Sequence, residues 1–371
     1  MFEIIKHSKK SKARLGILKT SHGNIATPFF MPIATKGSVK AVSSEEMAEL
    51  GSQILLANTY HLYLQPGIKI LKKFGGLHKF MNWSGPILTD SGGYQVFSLS
   101  EKTREAVSLR KITSRGVEFQ SFIDGSKHLF TPEKVQDIQD IIGSDIKMVL
   151  DVCSPYPCAK SQAEKDLEIT HNWAERSLKK HKTQGAPPKK SLLFGIVQGS
   201  VYKDLRIKSA KFLSQLNFDG LAIGGLAVGE PNKKMYQVLD YLMDYLPENK
   251  PRYLMGVGRP ENIIEAVKRG VDMFDCVIPT REARHGRLYQ MQKSKVKSQN
   301  FGKDFYRILN ITNSKFSHSK QLLSRGYTFG YLRHLFKAGE PLAIRLATLH
   351  NLKFFLDLFR QMRLNISRDK L

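Results

Sequence analysis

Short apolar segments alternate with amphipathic segments along most of the chain, and each apolar segment is followed by a polar residue or a glycine. The apolar segments cover residues 53–57, 86–89, 146–150, 192–197, 221–223, 253–255 and 273–274. The segments between them have helical spacing and helix-starting residues, such as Thr131 and Pro132 at the start of a helix through Ile142. Repeated about eight times over about 250 residues, this order predicts an α/β fold, a (β/α)8 TIM barrel.

The main alternative is a doubly wound parallel sheet. That fold would need a glycine-rich phosphate-binding turn after its first strand, and the sequence has none there. In a barrel the carboxyl ends of all strands form one rim. We therefore expect the polar residues and the glycine that follow five of the strands to converge, namely Asp90, Asp151, Gln198, Gly225 and Asp275.

Three additions to the barrel are predicted. Residues 2–30 have the alternation and turns of a small antiparallel unit at the barrel floor or edge. Residues 117–122 alternate and lead into a turn at 123–126, which predicts a hairpin inserted over the rim. The barrel pattern stops after Leu288, and helices at about 321–337 and 341–364 follow. We therefore predict a catalytic barrel over 1–288 and a basic C-terminal subdomain over 289–371.

The charge of the chain indicates a polyanionic partner. Its 58 Lys and Arg against 33 Asp and Glu give a net charge of +25, and nucleic acid is the first candidate. The excess is uneven, because residues 281–303 hold seven Lys or Arg and one acid, and residues 305–339 hold six and none. The C-terminal third is therefore predicted to face phosphates.

The three cysteines, Cys153, Cys158 and Cys276, contain no C-x-x-C pair, so their spacing predicts no structural zinc site. The sequence has no signal-peptide pattern and no long apolar run. We therefore expect a cytoplasmic protein with reduced thiols and no membrane partner.

Two rim carboxylates, Asp90 and Asp275, suit displacement at an anomeric carbon. One would attack C1′ and the other would move protons on the leaving and arriving groups. Structural roles are also open: Asp90 could cap the following turn, and Asp275 could pair with Arg281 or Arg284. Asp272 is a rival nucleophile, but we expect it near the start of its strand in a structural role.

Other rim residues suit recognition of a purine. Asp151 and Gln198 offer an acceptor and a mixed donor and acceptor for its Watson–Crick edge, and Gly225 offers an unhindered N–H. Tyr94 and Met255 could lie on the two faces of a flat base. Each residue alone is weak support, and their predicted convergence on one rim strengthens it.

Several segments together resemble the bacterial tRNA-guanine transglycosylases. They are LTDSGGYQVF at 88–97, FGIVQG at 194–199, IGGLAVGE at 223–230, MFDCVIPTR at 273–281 and GLHKFMNW at 76–83. The resemblance covers nearly the whole chain. It implies a (β/α)8 enzyme that replaces the wobble guanine of tRNAs with GUN anticodons by a 7-deazaguanine base.

The resemblance also implies residue roles. Asp275 would be the nucleophile and Asp90 the proton acceptor and donor. The implied substrate-binding residues are Asp90, Ser91, Gly92, Gly93, Tyr94, Asp151, Gln198, Gly225 and Met255. The implied RNA-binding residues are Gly256, Val257, Gly258, Arg259, Pro260, Glu261, Asn262, Thr280, Arg281, Glu282, Ala283 and Arg284. Cys153 and Val228 stand where the bacterial enzymes leave room for the aminomethyl group of preQ1, which favours preQ1 and leaves queuine possible. The family is typically a homodimer.

The chain departs from this family at its zinc site. Family members bind zinc through Cys-x-Cys-x-x-Cys and a downstream His, and the cysteine positions here hold Ser319, Gln321 and Ser324. Only His350 remains, and one imidazole cannot hold a structural zinc, so we expect no metal cofactor. The subdomain must then fold by packing, with Phe316, Leu322, Leu323 and Tyr327 as the expected filling residues.

Glu282 and His285 stand where asparagines are usual in the family, close to the expected RNA contacts. The missing zinc ligands motivate a second hypothesis, a catalytically silent tRNA-binding partner subunit. The resemblance argues against it, because the non-catalytic subunits of this family lose catalytic residues and keep zinc ligands, whereas this chain does the reverse.

Overall fold

The computed structural model describes residues 2–100, 110–183, 191–292, 301–302 and 304–371. Its strands are β1 Phe2–His7, β2 Arg14–Thr20, β3 Gly23–Thr27, β4 Phe29–Met31, β5 Leu55–Asn58, β6 Ile87–Asp90, β7 Arg110–Thr113, β8 Gly116–Gln120, β9 Lys127–Phe130, β10 Ile146–Met148, β11 Leu192–Val197, β12 Gly220–Ile223, β13 Arg252–Leu254, β14 Met273–Asp275, β15 Arg287–Met291 and β16 Tyr306–Asn310.

The helix predicted from Pro132 through Ile142 is present with those bounds. The helices are α1 Ser44–Glu49, α2 Thr59–Leu62, α3 Ile68–Phe74, α4 Leu77–Met81, α5 Gly93–Ser100, α6 Pro132–Ile142, α7 Lys160–Thr183, α8 Lys203–Gln215, α9 Asn232–Leu242, α10 Pro260–Lys268, α11 Ile278–Arg284, α12 Phe329–Ala338 and α13 Pro341–Ser367. Short 3-10 turns cover Met243–Tyr245 and Ser314–Phe316, and a wide turn covers Tyr63–Gly67. In the described part of the chain, the helices are too short or too polar to cross a membrane.

Eight parallel strands form the predicted barrel. Their order is β4, β14, β13, β12, β11, β10, β6 and β5. A parallel bridge between Ile33, two residues after β4, and Leu56 in β5 brings the two outer strands together. The TIM-barrel prediction is confirmed, and Asp90 and Asp275 end β6 and β14 on the same rim.

The first barrel strand, β4, was assigned wrongly from the sequence. The pattern placed residues up to 30 in the N-terminal antiparallel unit, whereas β3 ends at Thr27 and Phe29 starts a barrel strand beside Met273. Pro28 separates the two because it has no N–H to donate to a strand ladder. A proline inside one apolar segment therefore divides it between two sheets.

The N-terminal sheet β1–β2–β3 lies at the barrel floor. The Lys12 N–H donates to the carbonyl of Lys268 at 2.9 Å, and the Ala26 N–H donates to the Gln53 side chain at 2.8 Å. Lys268 and Gln53 both precede barrel strands, so this unit lies at the end opposite the rim that carries Asp90.

The predicted hairpin is part of a three-stranded antiparallel sheet, β7–β8–β9. Its turn is held by the Ser121 N–H bonding to the Ser126 carbonyl at 2.8 Å. The Phe122 ring lies 6.2 Å from the ring of Tyr60, which follows strand β5. The sheet therefore lies beside the carboxyl ends of the barrel strands.

The C-terminal segment combines the hairpin β15–β16 with α12 and α13. Helix α13 packs on the barrel through Phe355 and Phe359, whose rings lie 5.2 Å from Phe30 and 5.5 Å from Phe274. The helix predicted from about residue 321 begins only at Phe329, because the Thr328 side chain caps it. Residues 293–300 and 303 of the basic segment lie outside the described residues.

Candidate active site

Asp90 is held by donors from the neighbouring strand end. Asn58, the last residue of β5, donates from Nδ2 to Oδ2 at 2.6 Å, and the N–H groups of Thr59 and Gly92 donate to Oδ1 at 3.2 and 3.1 Å. Burial, with a smaller contribution from the charge of Asp275, raises the pKa of Asp90 to about 7 against the opposing effect of these hydrogen bonds. Asp90 is therefore poised to hold and release a proton near neutral pH.

Asp275 is buried, with 8% of its surface exposed, at the end of β14. Its Oδ1 accepts hydrogen bonds from the Tyr253 hydroxyl at 2.6 Å and from the Gly256 N–H at 2.7 Å. Burial raises the pKa of Asp275, whereas these two donors lower it because they stabilise the carboxylate. The two donors therefore favour the charged form of this buried acid.

The two acids act on one another and on one tyrosine. Asp275 is among the groups that raise the pKa of Asp90, and the charges of both acids raise the pKa of Tyr253. Asp90 and Asp275 therefore lie within electrostatic reach at one rim. A carboxylate and a partly protonated carboxyl group in this arrangement can act as a nucleophile and as an acid and base.

Asp151 and Gln198 form a connected pair beside these acids. The Gln198 Nε2 donates to Asp151 Oδ2 at 2.7 Å, and the Ser91 hydroxyl lies 3.5 Å from Oδ1. Burial raises the pKa of Asp151 to about 6. The Gln198 Oε1 is buried and accepts no hydrogen bond. An unsatisfied buried acceptor indicates a place for a ligand donor.

The Gly92-Gly93 pair permits close packing at the rim. A Cβ at Gly92 would lie 2.8 Å from Tyr60 Cβ, and one at Gly93 would lie 2.9 Å from the Asp151 carbonyl. Gly92 also has a φ of +78°, which favours glycine. These glycines bring the turn after Asp90 into contact with the strand end that carries Asp151.

Gly225 lies between Gln198 and a buried arginine that the sequence interpretation missed. A Cβ at Gly225 would lie 2.4 Å from Gln198 Oε1 and 3.3 Å from Arg206. The Gly225 N–H lowers the pKa of the Cys153 thiol, although burial raises that pKa overall to about 12. The Gly225 N–H and the charge of Asp151 therefore both act on Cys153.

The predicted stacking residues lie at the same rim. Tyr94 is 52% exposed in the first turn of α5, and Met255 is half-buried directly after β13. Asn58 and Tyr253 were also missed as site residues. Asn58 could have been noticed as a polar residue at a strand end, whereas Tyr253 lies within a strand and gives no such signal.

The two predicted RNA segments differ in which side chains reach the surface. In the first, Gly256 and Arg259 are exposed. The Glu261 carboxylate accepts a hydrogen bond from the Tyr306 hydroxyl at 2.6 Å. Asn262 is buried, and its Oδ1 accepts from the Tyr236 hydroxyl at 2.6 Å. The other members of this segment, Val257, Gly258 and Pro260, are buried. Arg259 is thus its available cationic contact.

In the second segment Arg281 and Arg284 are exposed, whereas Thr280 and Ala283 are buried. Glu282 forms an ion pair with Arg287, with Oε2 and Nε 2.7 Å apart. His285 Nδ1 lies 2.8 Å from the Arg281 carbonyl. The charge of Glu282 is therefore neutralised within the protein, which removes the electrostatic objection to an acid near RNA.

Asp272 has a structural partner. Its carboxylate accepts from Arg14 Nε at 3.0 Å and NH2 at 2.6 Å, and the two side chains are 0% and 2% exposed. It also accepts from the Arg252 N–H at 2.8 Å. Asp272 precedes β14, so it lies at the floor end of the barrel, away from Asp275.

The family's zinc position does not fit a metal in this chain. Ser319, Gln321 and Ser324 offer no thiolate, and His350 Nε2 lies 3.0 Å from the Tyr289 carbonyl. Phe316 and Leu323 are buried there, as expected, but Leu322 and Tyr327 are 59% and 42% exposed, so the prediction that they fill the core was wrong. The turn instead closes through main-chain bonds, including Leu323 N–H to Tyr327 carbonyl at 2.7 Å.

Among the described residues, His22, His78 and Asp145 form a cluster with metal-ligand types. The two imidazole rings stack 3.8 Å apart at 18°, so their in-plane lone pairs run side by side rather than toward one ion. The Asp145 carboxylate already accepts from the His22 and Ile87 N–H groups at 3.1 and 2.9 Å. The geometry is that of a hydrogen-bonded clamp at the barrel floor.

Comparison with known proteins gives a consistent result. The sequence model of a family described as "Queuine tRNA-ribosyltransferase" matches residues 8–371. A protein named queuine tRNA-ribosyltransferase from Caldanaerobacter subterraneus subsp. tengcongensis is 52% identical over 371 residues, covering 100% of this chain and 94% of the relative. Proteins of that name from Thermoanaerobacter sp. (strain X514) and Desulforamulus reducens are each 51% identical, over 100% of this chain and 94% and 95% of the relatives.

Proposed function

Because the chain belongs to the queuine tRNA-ribosyltransferase family, we propose that it exchanges the wobble guanine of GUN-anticodon tRNAs for a 7-deazaguanine in queuosine synthesis. The observation that carries this function is the pair of carboxyl groups, Asp90 and Asp275, within electrostatic reach on one barrel rim. They supply the nucleophile and the acid and base that base exchange at C1′ needs.

The Asp275 carboxylate attacks C1′ of the ribose as the bond from C1′ to N9 of guanine breaks. The bonding electrons leave with guanine, and Asp90 delivers the proton that neutralises it. Asp90 then removes the N9 proton of the incoming base, which attacks C1′ and releases Asp275. Two displacements give net retention, and the covalent ester conserves the bond energy, so the exchange needs no external energy source.

Asp151, Gln198 and Gly225 hold the base in this scheme. The Asp151 carboxylate accepts from the N1 and N2 donors of guanine, and the Gly225 N–H donates to O6. The unsatisfied Gln198 Oε1 supports the binding of a ligand here, since it needs a donor that the protein does not provide. Tyr94 and Met255 cover the faces of the base.

We favour preQ1 as the incoming base. Cys153 lies beside the recognition groups, because Asp151 and the Gly225 N–H both influence its pKa. Cys153 and Val228 are small and half-buried, which suits an aminomethyl substituent better than the cyclopentenediol of queuine. Competition among preQ1, queuine and guanine for a labelled base would test this order, and queuine binding most tightly would reverse it.

The charge distribution supports tRNA as the polymer substrate. Arg259, Arg281 and Arg284 are exposed beside the rim, the first on the loop that follows β13 and the other two on helix α11, which follows β14. The described cysteines form no disulfide, which supports the proposed cytoplasmic location.

A homodimer is our proposal for the assembly. Leu322, Tyr327 and Tyr331 expose apolar surface together on the C-terminal subdomain, and the two tyrosine rings stack 5.7 Å apart. Such a patch suits an interface with a second copy. Light scattering on the wild type and Tyr331→Lys would test it: a wild-type monomer at micromolar concentration would contradict the proposal.

Incubation with labelled guanine and unmodified GUN-anticodon tRNA tests the enzyme against the silent-partner alternative. We expect label in the tRNA and a protein–RNA adduct that survives denaturation. A matched tRNA whose wobble base is adenine serves as the control and should stay unlabelled. Tight tRNA binding with no incorporation would favour the silent partner.

A further inference from the structure

Arg206, on helix α8, is fully buried and binds main-chain carbonyls of two rim loops. Its Nε donates to the Ser200 carbonyl at 2.6 Å, and NH1 donates to those of Val197 and Gly224 at 3.0 and 2.7 Å. NH2 donates to the Gly225 carbonyl at 3.0 Å. One guanidinium therefore ties the loop after β11 to the loop after β12.

The cation keeps its charge without a carboxylate in hydrogen-bond contact. Burial lowers the pKa of Arg206 to about 10, which still leaves the guanidinium charged at neutral pH, and Glu230 acts on it only as a neighbouring charge. A buried cation that binds only carbonyl oxygens is costly. These hydrogen bonds hold the two loops together, and the positive charge also acts on the carbonyl groups that accept them.

The peptide group between Gly224 and Gly225 is one group on which this charge acts. Its carbonyl accepts from Arg206 NH1, and its N–H is the group that our proposed function directs at O6 of guanine. A cation on the carbonyl oxygen draws electron density through the conjugated amide and makes the N–H a stronger donor. Departing guanine gains negative charge, part of which lies on O6. The hydrogen bond from the Gly225 N–H to O6 therefore strengthens as the base leaves.

We propose that Arg206 is a positioning residue for base exchange: it fixes the Gly224–Gly225 peptide and polarises its N–H toward O6 of the leaving and arriving base. This inference rests on the proposed function and adds a residue that the family motifs do not include. It also predicts which ligands depend on Arg206, because only bases with a 6-oxo group receive the polarised hydrogen bond.

Equilibrium binding of two bases to the full-length protein tests the inference. Fluorescent 2-aminopurine lacks the 6-oxo group, and guanine is measured by displacing it. In Arg206→Gln we expect the Kd of guanine to rise about tenfold, the difference between a charge-assisted and an ordinary hydrogen bond, and in Arg206→Lys we expect a smaller rise. The Kd of 2-aminopurine should change less than about twofold by the same reasoning. The Lys variant keeps the charge and the aliphatic stem, so it guards against loss of the fold.

Arg252→Gln is the matched control. Arg252 is also a buried arginine whose side chain binds carbonyls, those of Met243 and Leu246, but it begins β13 at the floor end of the barrel. We expect it to lower thermal stability and to leave both Kd values unchanged. Equal weakening of both bases in the folded Arg206 variants would overturn the inference. Absence of guanine binding and of exchange in the wild type would instead defeat the proposed function.

Discussion

The Tyr253 hydroxyl donates a 2.6 Å hydrogen bond to Oδ1 of Asp275, across the adjacent strands β13 and β14. The Gly256 N–H donates to the same oxygen at 2.7 Å. The carboxylate is thereby fixed in one orientation, and its second oxygen, Oδ2, is the atom we expect to attack C1′. Burial raises the pKa of Asp275, and both donors oppose that rise because they stabilise the anion.

Tyr253→Phe should slow the exchange without unfolding the barrel. Loss of the hydroxyl removes one donor to the carboxylate, so the pKa of Asp275 rises and less of the nucleophile is charged. We expect kcat/KM to fall about tenfold near neutral pH and its acidic limb to move to higher pH. A pH series of kcat/KM measures this, and an unshifted limb would show that the hydroxyl does not tune Asp275.

Asp275→Asn should abolish the denaturation-resistant RNA adduct, with a loss of about 10⁴-fold or more in kcat. Its matched control is Asp272→Asn, three residues earlier. That change breaks a buried ion pair with Arg14 and should cost about 3 kcal/mol of folding stability. Denaturing gels and thermal melts separate the two effects. An adduct that persists in Asp275→Asn and disappears in a folded Asp272→Asn would exchange their roles.

Exchange should decline above about pH 7 because Asp90 must be protonated to protonate the leaving guanine. Asn58→Ala removes a donor that favours the charged form, so the pKa of Asp90 should rise and the alkaline limb should move up by about one pH unit. Measuring kcat/KM for tRNA from pH 5 to about pH 9 covers both limbs. A limb that stays in place would mean that another group donates the proton.

Arg281→Ala and Arg284→Ala should weaken tRNA binding and leave the affinity for the free base unchanged. Each lost phosphate contact to single-stranded RNA should reduce the slope of log K against log salt by about 0.7. Arg325→Ala is a suitable control, since Arg325 pairs with Glu49 at 2.7 Å on a different part of the surface. Equal salt slopes in all variants would remove Arg281 and Arg284 from the RNA interface.

The C-terminal subdomain should be stable without zinc. Purified protein should contain far less than one zinc per chain, and a chelator should leave its thermal melt unchanged, because Phe316 and Leu323 pack where metal ligands are missing. Phe316→Ala should cost about 3 kcal/mol. The triple change Ser319→Cys, Gln321→Cys and Ser324→Cys is the informative counterpart, as it should restore zinc binding with His350. Stoichiometric zinc in the wild type would contradict this prediction.

The sequence by itself determined the barrel and most of its rim. A parallel strand buried on both faces is a short apolar run, so its end is visible as the first polar residue, and this marked Asp90, Asp151, Gln198 and Asp275. Their convergence follows from the topology alone, because all barrel strands point the same way. The sequence likewise shows Ser319, Gln321 and Ser324 at the positions where the resemblance leads us to expect zinc-binding cysteines.

Only the tertiary structure decided what each rim residue contacts. Arg206 and Tyr253 lie within a helix and a strand, and their polar ends reach the site only because neighbouring strands place a carbonyl or a carboxylate opposite them. Tertiary contacts also distinguish the surroundings of Asp272 from those of Asp275, because Arg14 forms an ion pair with Asp272. Leu322 and Tyr327 were placed wrongly in the core for the same reason: an apolar side chain in a turn has no periodicity to fix its direction, and only packing decides which way it points.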